Sequence, residues 1–284
     1  MATLRQLRTR VASIGNIQRV TNAMYMVAAA KMRRAQEAIE SARPYAEQLD
    51  TILRRLQGSI DPGENPLFVE RPVERAAVVV VTADRGLCGA FNGNVSRRAQ
   101  TELEAIESEV DIVTVGRKGS AFLRGRGFDV TTDHADVFRV LQFSRAAEIA
   151  EQLTKDFVEG RVDKVLLVFS EFRSVALQEP VVHQLLPIVA SEPSESVDGD
   201  YIFEPDPAQL LDILVPRHVN FQVWRALLES NAGFFAAQMT SMDNASKNAG
   251  DLIDELTREM NKARQSSITL ELMDIIGGAE AVAS

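Results

Sequence analysis

The chain has 284 residues, 45% of them apolar and 25% charged, which suits one large globular domain or two modest ones. Its net charge of -9 argues against non-specific binding to nucleic acid. Its single cysteine, Cys88, excludes an internal disulfide framework and fits a reducing compartment, and His134, His183 and His218 are too dispersed for a metal motif. The sequence contains no apolar run long enough to span a bilayer, and "MATLRQLRTR" lacks the apolar core of an export signal, so neither export nor a transit peptide is expected.

The first predicted element is a long helix. Leu4, Leu7, Val11, Ile14, Ile17, Val20, Met24 and Val27 recur at steps of three and four. Met32, Ala35, Ile39, Ala42, Ala46, Leu49, Leu53 and Leu56 continue the seam. Such a repeat is the signature of a coiled coil. Pro44 predicts a kink or a break, and "SIDPGENP" predicts the end. The first 36 residues hold seven Arg or Lys and no acid, a charge block opposite in sign to the whole chain.

The middle alternates strand and helix. "RAAVVVVTAD" is a strand of the buried parallel type, and "FNGNVSRRAQTELEAI" reads as a helix. "VDIVTVG" is a second strand, "RKGSAFLRGRG" a short helix and "FDVTTD" a third strand. "SRAAEIAEQLTKDFVEG" is a helix with Ser144 as its N-cap. "DKVLLVFSEF" and "VVHQLLPIV" pair as a hairpin. This order implies a mostly parallel sheet with helices on its faces, a Rossmann-like domain.

The last element is again a long helix, with Asp206 as N-cap and Pro207 at its first position. Phe221, Trp224, Leu228 and Phe235 share a face. Met242, Ala245, Ala249, Leu252, Leu256, Met260, Ala263, Ser267 and Leu270 carry the seam on, until Gly277 and Gly278 stop it. The expected fold is α/β: a long antiparallel coiled coil of the terminal helices, with the Rossmann-like domain inserted between them. The expected divisions are 1–58, 59–205 and 206–284. At about 1.5 Å per residue each helix would be on the order of 80–100 Å long. The stretch "SSITLELMDIIGGAEAVAS" overhangs as an apolar tip, which a monomer has little reason to expose.

"TADRGLCGAFNGN" joins strand to helix, the place where phosphate loops occur. Its glycines are spaced G-x-x-G-x-x-x-G, which matches neither the dinucleotide nor the P-loop pattern, and no Lys-Ser or Lys-Thr closes it. Cys88 beside a helix N-terminus has a nucleophile reading; without a neighbouring histidine, a small buried thiol accounts for it better.

Three blocks closely resemble the gamma-subunit family of F-type ATP synthases: "NIQRVTNAMYMVAAAKMRRAQ", "TADRGLCGAFNGNV" and "AAQMTSMDNASKNAGDLIDELTREMNKARQSSITLELMDIIGGA". They stand in that family's order and spacing, and "YIFEPDPAQLLDILVPR" fits as well. The resemblance implies a central rotor with no catalytic site and no bound cofactor of its own. ATP, ADP and Mg would be held by alpha and beta subunits, three of each. It implies contact with the beta subunits through Met24, Lys31, Arg33 and Arg34, through Arg85, Gly86, Cys88 and Gly89, and through Arg264, Gln265 and Thr269. Tyr201 and Glu204 would meet the epsilon subunit and the c-subunit ring. Ile268, Leu272, Ile275 and Ile276 would enter a sleeve at the top of the catalytic head. Membrane association would come only through the complex, at the cytoplasmic face of a bacterial inner membrane. Met24 equally suits plain seam packing, and for Arg264 and the three cations a solvated face is the lesser reading. The alternative of a nucleotide-binding α/β enzyme with a coiled-coil arm rests on the strand–turn–helix alone. Asn22, Tyr25, Gln238 and "NAGFF" depart from the family's usual residues, and no inserted cysteine pair is present.

Overall fold

The computed structural model describes residues 3–57, 65–189 and 206–283. The elements in chain order are α1 (Leu4–Gln57), β1 (Arg75–Val81), α2 (Phe91–Ala105), β2 (Glu109–Val115), α3 (Arg117–Gly125), β3 (Thr132–His134), α4 (Phe143–Val158), β4 (Lys164–Phe172), β5 (Gln178–Leu186) and α5 (Pro207–Ala283). Short 3-10 turns occupy Pro66–Phe68 and Val137–Arg139. The chain divides into two compact units, 1–28 with 239–284, and 29–238.

The larger unit is built on a five-stranded sheet in the order β3-β2-β1-β4-β5. β1 pairs in parallel with β2 and β4, β2 pairs in parallel with β3, and β5 closes the edge antiparallel to β4. β1 is buried on both faces, as its valine run requires. Successive side chains point to opposite sides, so Ala77, Val79 and Val81 enter one core and Val78 and Val80 the other. The second core is covered by α2 and α3 through Val95, Ala99, Leu103 and Leu123. The first is covered by α4, by Leu49 and Leu53 of α1, and by Leu211 to Leu227 of α5. The helical pair is thereby rooted on one face of the sheet.

Within this unit the two terminal helices run antiparallel. Lys31 meets Phe235, Tyr45 meets Phe221 and Asp50 meets His218, so α5 numbers fall as α1 numbers rise. In the smaller unit, Gln18 Nε2 donates to the Ser246 carbonyl at 3.4 Å.

Several expectations are corrected. Pro44 neither ends nor restarts α1; it is exposed, where the missing hydrogen bond is tolerated and Ala42, Ala46 and Leu49 hold the helix in place. Gly277 and Gly278 do not stop α5, which runs on to Ala283; glycine weakens a helix by about 1 kcal/mol without forbidding it. Ser144 is not a cap: α4 starts at Phe143, after Gln142, with no side-chain cap. The third strand is only three residues long. The seam also shifts. Ile17, Val20 and Val27 are exposed, while Gln18, Thr21, Tyr25 and Ala28 continue the covered stripe from Leu7, Val11 and Ile14. On α5, Ile253 takes the covered place expected for Leu252, and Ser267 and Leu270 are exposed.

Candidate functional site

The turn after β1 is shaped by its own hydrogen bonds. Asn92, in the first turn of α2, accepts from the Ala83 amide through Oδ1 at 2.9 Å. Its Nδ2 donates to the Arg85 carbonyl at 3.0 Å and reaches Cys88 Sγ at 3.2 Å. Leu87 and Gly89 take left-handed backbone, φ 63° and 55°, which glycine adopts freely and leucine does not. Leu87 is also 61% exposed, so the strained residue sits at the outer surface of the turn. Cys88 points inward and is 2% exposed. Burial pushes its thiol up from the ordinary value, against the lowering effect of the Asn92 backbone amide. A raised thiol is the reverse of what a nucleophile needs.

A phosphate loop presents free amides to its ligand. Here the amides of the neighbouring helix α3 are engaged by acceptors of the same chain. The Arg117 amide donates to Asp84 Oδ1 at 3.2 Å, the Lys118 amide to the Ala83 carbonyl at 3.1 Å, and the Gly119 amide to Thr82 Oγ1 at 2.7 Å. The Thr82 hydroxyl itself donates to the Gly116 carbonyl. Gly116 has φ 97°, and a Cβ there would lie 2.1 Å from the Thr82 carbonyl oxygen. The end of β1 and the start of α3 are thus locked together. At α2, the Phe91 amide donates to the Cys88 carbonyl.

Aromatic rings of α5 close over this end of the sheet. Ala83, Cys88, Phe91 and Phe234 form one buried cluster, flanked by Phe235. The rings of Phe91 and Phe234 meet edge-on with centroids 6.1 Å apart. Gly233 allows the close approach, since a Cβ there would lie 3.0 Å from the Phe91 ring. The strand–turn–helix of a nucleotide site is present, but its crevice is packed with aromatic side chains.

Among the other residues singled out from the sequence, Lys31 is exposed and stands 5.3 Å from the Phe235 ring centre, within cation–π range. Lys31 and Arg85 line one cavity, so α1 and the turn bring two of the expected cations together. Arg33 and Arg34 are exposed, and Arg33 pairs with Glu37 at 3.2 Å. Met24, in the smaller unit, is half-buried. Arg264, Gln265 and Thr269 are all exposed on α5, and the Thr269 hydroxyl donates back to the Gln265 carbonyl. Ile268, Leu272, Ile275 and Ile276 are exposed. After Ala263, every α5 residue whose exposure is described is open to solvent. Gly86 lies 3.9 Å, through a Cβ position, from Lys118 Cε. Tyr201 and Glu204 lie outside the described residues. Leu87, Phe234 and Arg139 were not singled out as site residues. Phe234 was signalled only by the unusual "NAGFF" segment, Leu87 stands within the Gly-rich turn, and Arg139 stands in unremarkable sequence.

Comparison with known proteins covers nearly the whole chain. The family model described as ATP synthase matches residues 3–282. The ATP synthase gamma chain of Prosthecochloris aestuarii is 45% identical over 99% of this chain and 99% of its own. That of Pelotomaculum thermopropionicum is 44% identical over 99% and 100%. Among solved structures, the central stalk and c-ring of the Tetrahymena thermophila mitochondrial ATP synthase gives a chain with TM-score 0.63 and 25% identity, covering 80% of this chain and 99% of that one. The rotor of the Euglena gracilis mitochondrial ATP synthase gives TM-score 0.68 at 20% identity, covering 93% and 98%, a likeness of fold.

Proposed function

We propose a rotor's mechanism from one premise: the chain belongs to the ATP synthase gamma-chain family. It is the central stalk of a rotary ATP synthase, and it couples rotation of an ion-driven c-subunit ring to the conformational cycle of three catalytic beta subunits. The observation that carries this reading is the last twenty residues of α5. They run past the end of the helical pair with isoleucines, leucine and methionine exposed, a surface that calls for an enclosing partner.

In this reading the chain makes and breaks no bond. ATP, ADP and Mg are held by the alpha and beta subunits. The helical pair presents unlike faces to the beta subunits around it: a basic face with Lys31, Arg33 and Arg34, the half-buried Met24, and the Arg85–Gly89 turn. Each beta subunit meets a different face at any moment, so its conformational equilibrium differs from those of its neighbours. A contact that differs between two states shifts their populations by the difference, and rotation passes that bias from one subunit to the next. Arg264, Gln265 and Thr269 would engage beta nearer the tip. Ile268, Leu272, Ile275 and Ile276 would sit in the apolar sleeve of the head. Tyr201 and Glu204 would face epsilon and the c ring, at the cytoplasmic side of a bacterial inner membrane. The engaged amides at Arg117, Lys118 and Gly119 and the aromatic filling of the crevice favour a contact turn over a nucleotide loop.

Reconstitution tests the reading. The chain added to alpha and beta subunits should yield a single complex whose ATPase drives rotation of a probe fixed to this chain, while the chain alone hydrolyses nothing. Failure to join that complex under conditions where a relative's gamma chain does so would overturn it.

A further inference from the structure

Between α5, α1 and the turn after β1 lies a cavity of about 170 Å³. Three cations line it from three separate elements: Lys31 of α1, Arg85 of the turn and Arg139 of the 3-10 turn after β3. Among the described residues none of the three enters an ion pair. Two carboxylates, Asp84 and Asp136, line it as well, and both are already engaged. Asp84 Oδ1 accepts from the amides of Arg117 and Asp136, and Asp136 pairs with the Arg117 guanidinium. Ser230 of α5 lines the same cavity. It is 2% exposed, and among the described residues its hydroxyl has no hydrogen-bond partner. A buried hydroxyl left unpaired is costly, and this one adjoins a space lined by three cations and two carboxylates.

We propose that the cavity binds a small oxyanion, inorganic phosphate in its simplest form, held by Lys31, Arg85 and Arg139 with the Ser230 hydroxyl donating to one oxygen. Charge-assisted hydrogen bonds of this kind are the strong ones, and guanidinium groups suit tetrahedral oxyanions. The volume holds about six waters at roughly 30 Å³ each, enough for the anion and part of its hydration. It falls short of the roughly 300 Å³ or more of cavities that bury larger organic ligands, so a nucleoside is not accommodated. One consequence rests on the rotor reading, though the binding itself does not. Lys31 and Arg85 are also proposed to meet the beta subunits, so a bound anion lowers the positive charge offered there.

Calorimetry on the full chain at constant ionic strength tests the site, with phosphate, sulfate, chloride and ADP titrated separately. Phosphate and sulfate should each bind at a single site, with chloride silent and ADP no tighter than phosphate. Arg139→Gln should weaken phosphate binding about tenfold. Ser230→Ala should weaken it several-fold while leaving the thermal midpoint in phosphate-free buffer unchanged or higher. Both positions lie outside the proposed beta contacts. No heat with phosphate, or equal affinity in wild type and in either folded variant, would overturn the proposal. Binding of ADP without binding of phosphate would overturn it in favour of a nucleotide ligand.

Discussion

Asn92 Oδ1 accepts a hydrogen bond from the Ala83 amide at 2.9 Å, tying the start of α2 to the end of β1 across nine residues. The same side chain donates to the Arg85 carbonyl and reaches Cys88 Sγ. One amide side chain therefore sets the path of the whole turn, and the outward placement of Arg85 and Leu87 follows from it. Asn92→Ala leaves a backbone donor and a backbone acceptor without their partner. It should cost about 1–2 kcal/mol in urea denaturation. It should also loosen the cover over Cys88, so alkylation of that buried thiol should speed up at mildly alkaline pH. Equal labelling rates in wild type and variant would mean that the aromatic cluster alone keeps the thiol inside.

The junction of β2 with α3 tolerates no side chain. Gly116 combines left-handed backbone with a Cβ position 2.1 Å from the Thr82 carbonyl oxygen. Gly116→Ala should lose roughly 3 kcal/mol or more, or fail to give soluble protein. Gly125 is the control: it lies in α3 with nothing within 4 Å of its Cβ position. Gly125→Ala should be neutral or gain up to about 1 kcal/mol. Similar denaturation midpoints for the two variants would contradict the packing at Gly116.

Much of this was legible in the sequence, and the misses have physical causes. The valine run of β1 and the apolar cores of β2 and β4 declare a buried sheet; the bounds of β2 and β4 fall within one residue of the reading, and β1 ends three residues earlier, at Val81. The seam of α1 was legible where it is apolar, from Met32 to Leu53. It was misread at Ile17 and Val20, because the covered positions there hold Gln18 and Thr21. A polar residue can line a seam when its side chain finds a partner, as Gln18 does at Ser246. The closure of the crevice by Phe234 was not legible, because it depends on a helix more than a hundred residues further along. The three cations of the cavity come from distant parts of the chain, and only the fold gathers them.

His134 should make the fold sensitive to mild acid. Burial lowers its imidazole below the ordinary 6.5, with Arg145 acting the same way and Asp133 and Glu148 opposing. The folded state thus binds fewer protons than the unfolded state. The stability this group contributes is fully present above 6.5 and is lost as pH falls through the lowered folded value. His183 is lowered too, by burial and then Arg225, but it remains more exposed and should weigh less. The thermal midpoint should fall as pH drops below about 6.5, and His134→Gln should flatten that fall. An unchanged slope in the variant would show that other groups set it.

Arg33 and Arg34 separate folding from coupling. Both are exposed, and the pairing of Arg33 with Glu37 is a surface contact. Replacing both by glutamine should move the stability of the isolated chain by no more than about 0.5 kcal/mol. In the reconstituted complex the same change should leave assembly in place and lower the torque measured on single molecules, since it removes charge from the face proposed to meet beta. Full torque in the double variant would remove these two residues from the contact.

The overhanging end of α5 gives the sharpest contrast between the chain alone and the chain in its complex. Ile275 and Ile276 are 68% and 55% exposed, so Ile275→Ser with Ile276→Ser removes almost no packing from the isolated protein. Its unfolding free energy should change by about 0.5 kcal/mol or less, and its tendency to self-associate at high concentration should drop as apolar surface is lost. Enclosure in an apolar sleeve reverses the balance. Each isoleucine taken fully out of water contributes about 1.5–3 kcal/mol, so the double variant should join alpha and beta subunits more weakly and yield a complex that slips under load. Sedimentation of the isolated chain and ATP-driven rotation of the complex read the two halves separately. If the variant stays as stable as wild type and its complex assembles and couples without loss, the tip is not seated in the head, and the exposed isoleucines need another partner.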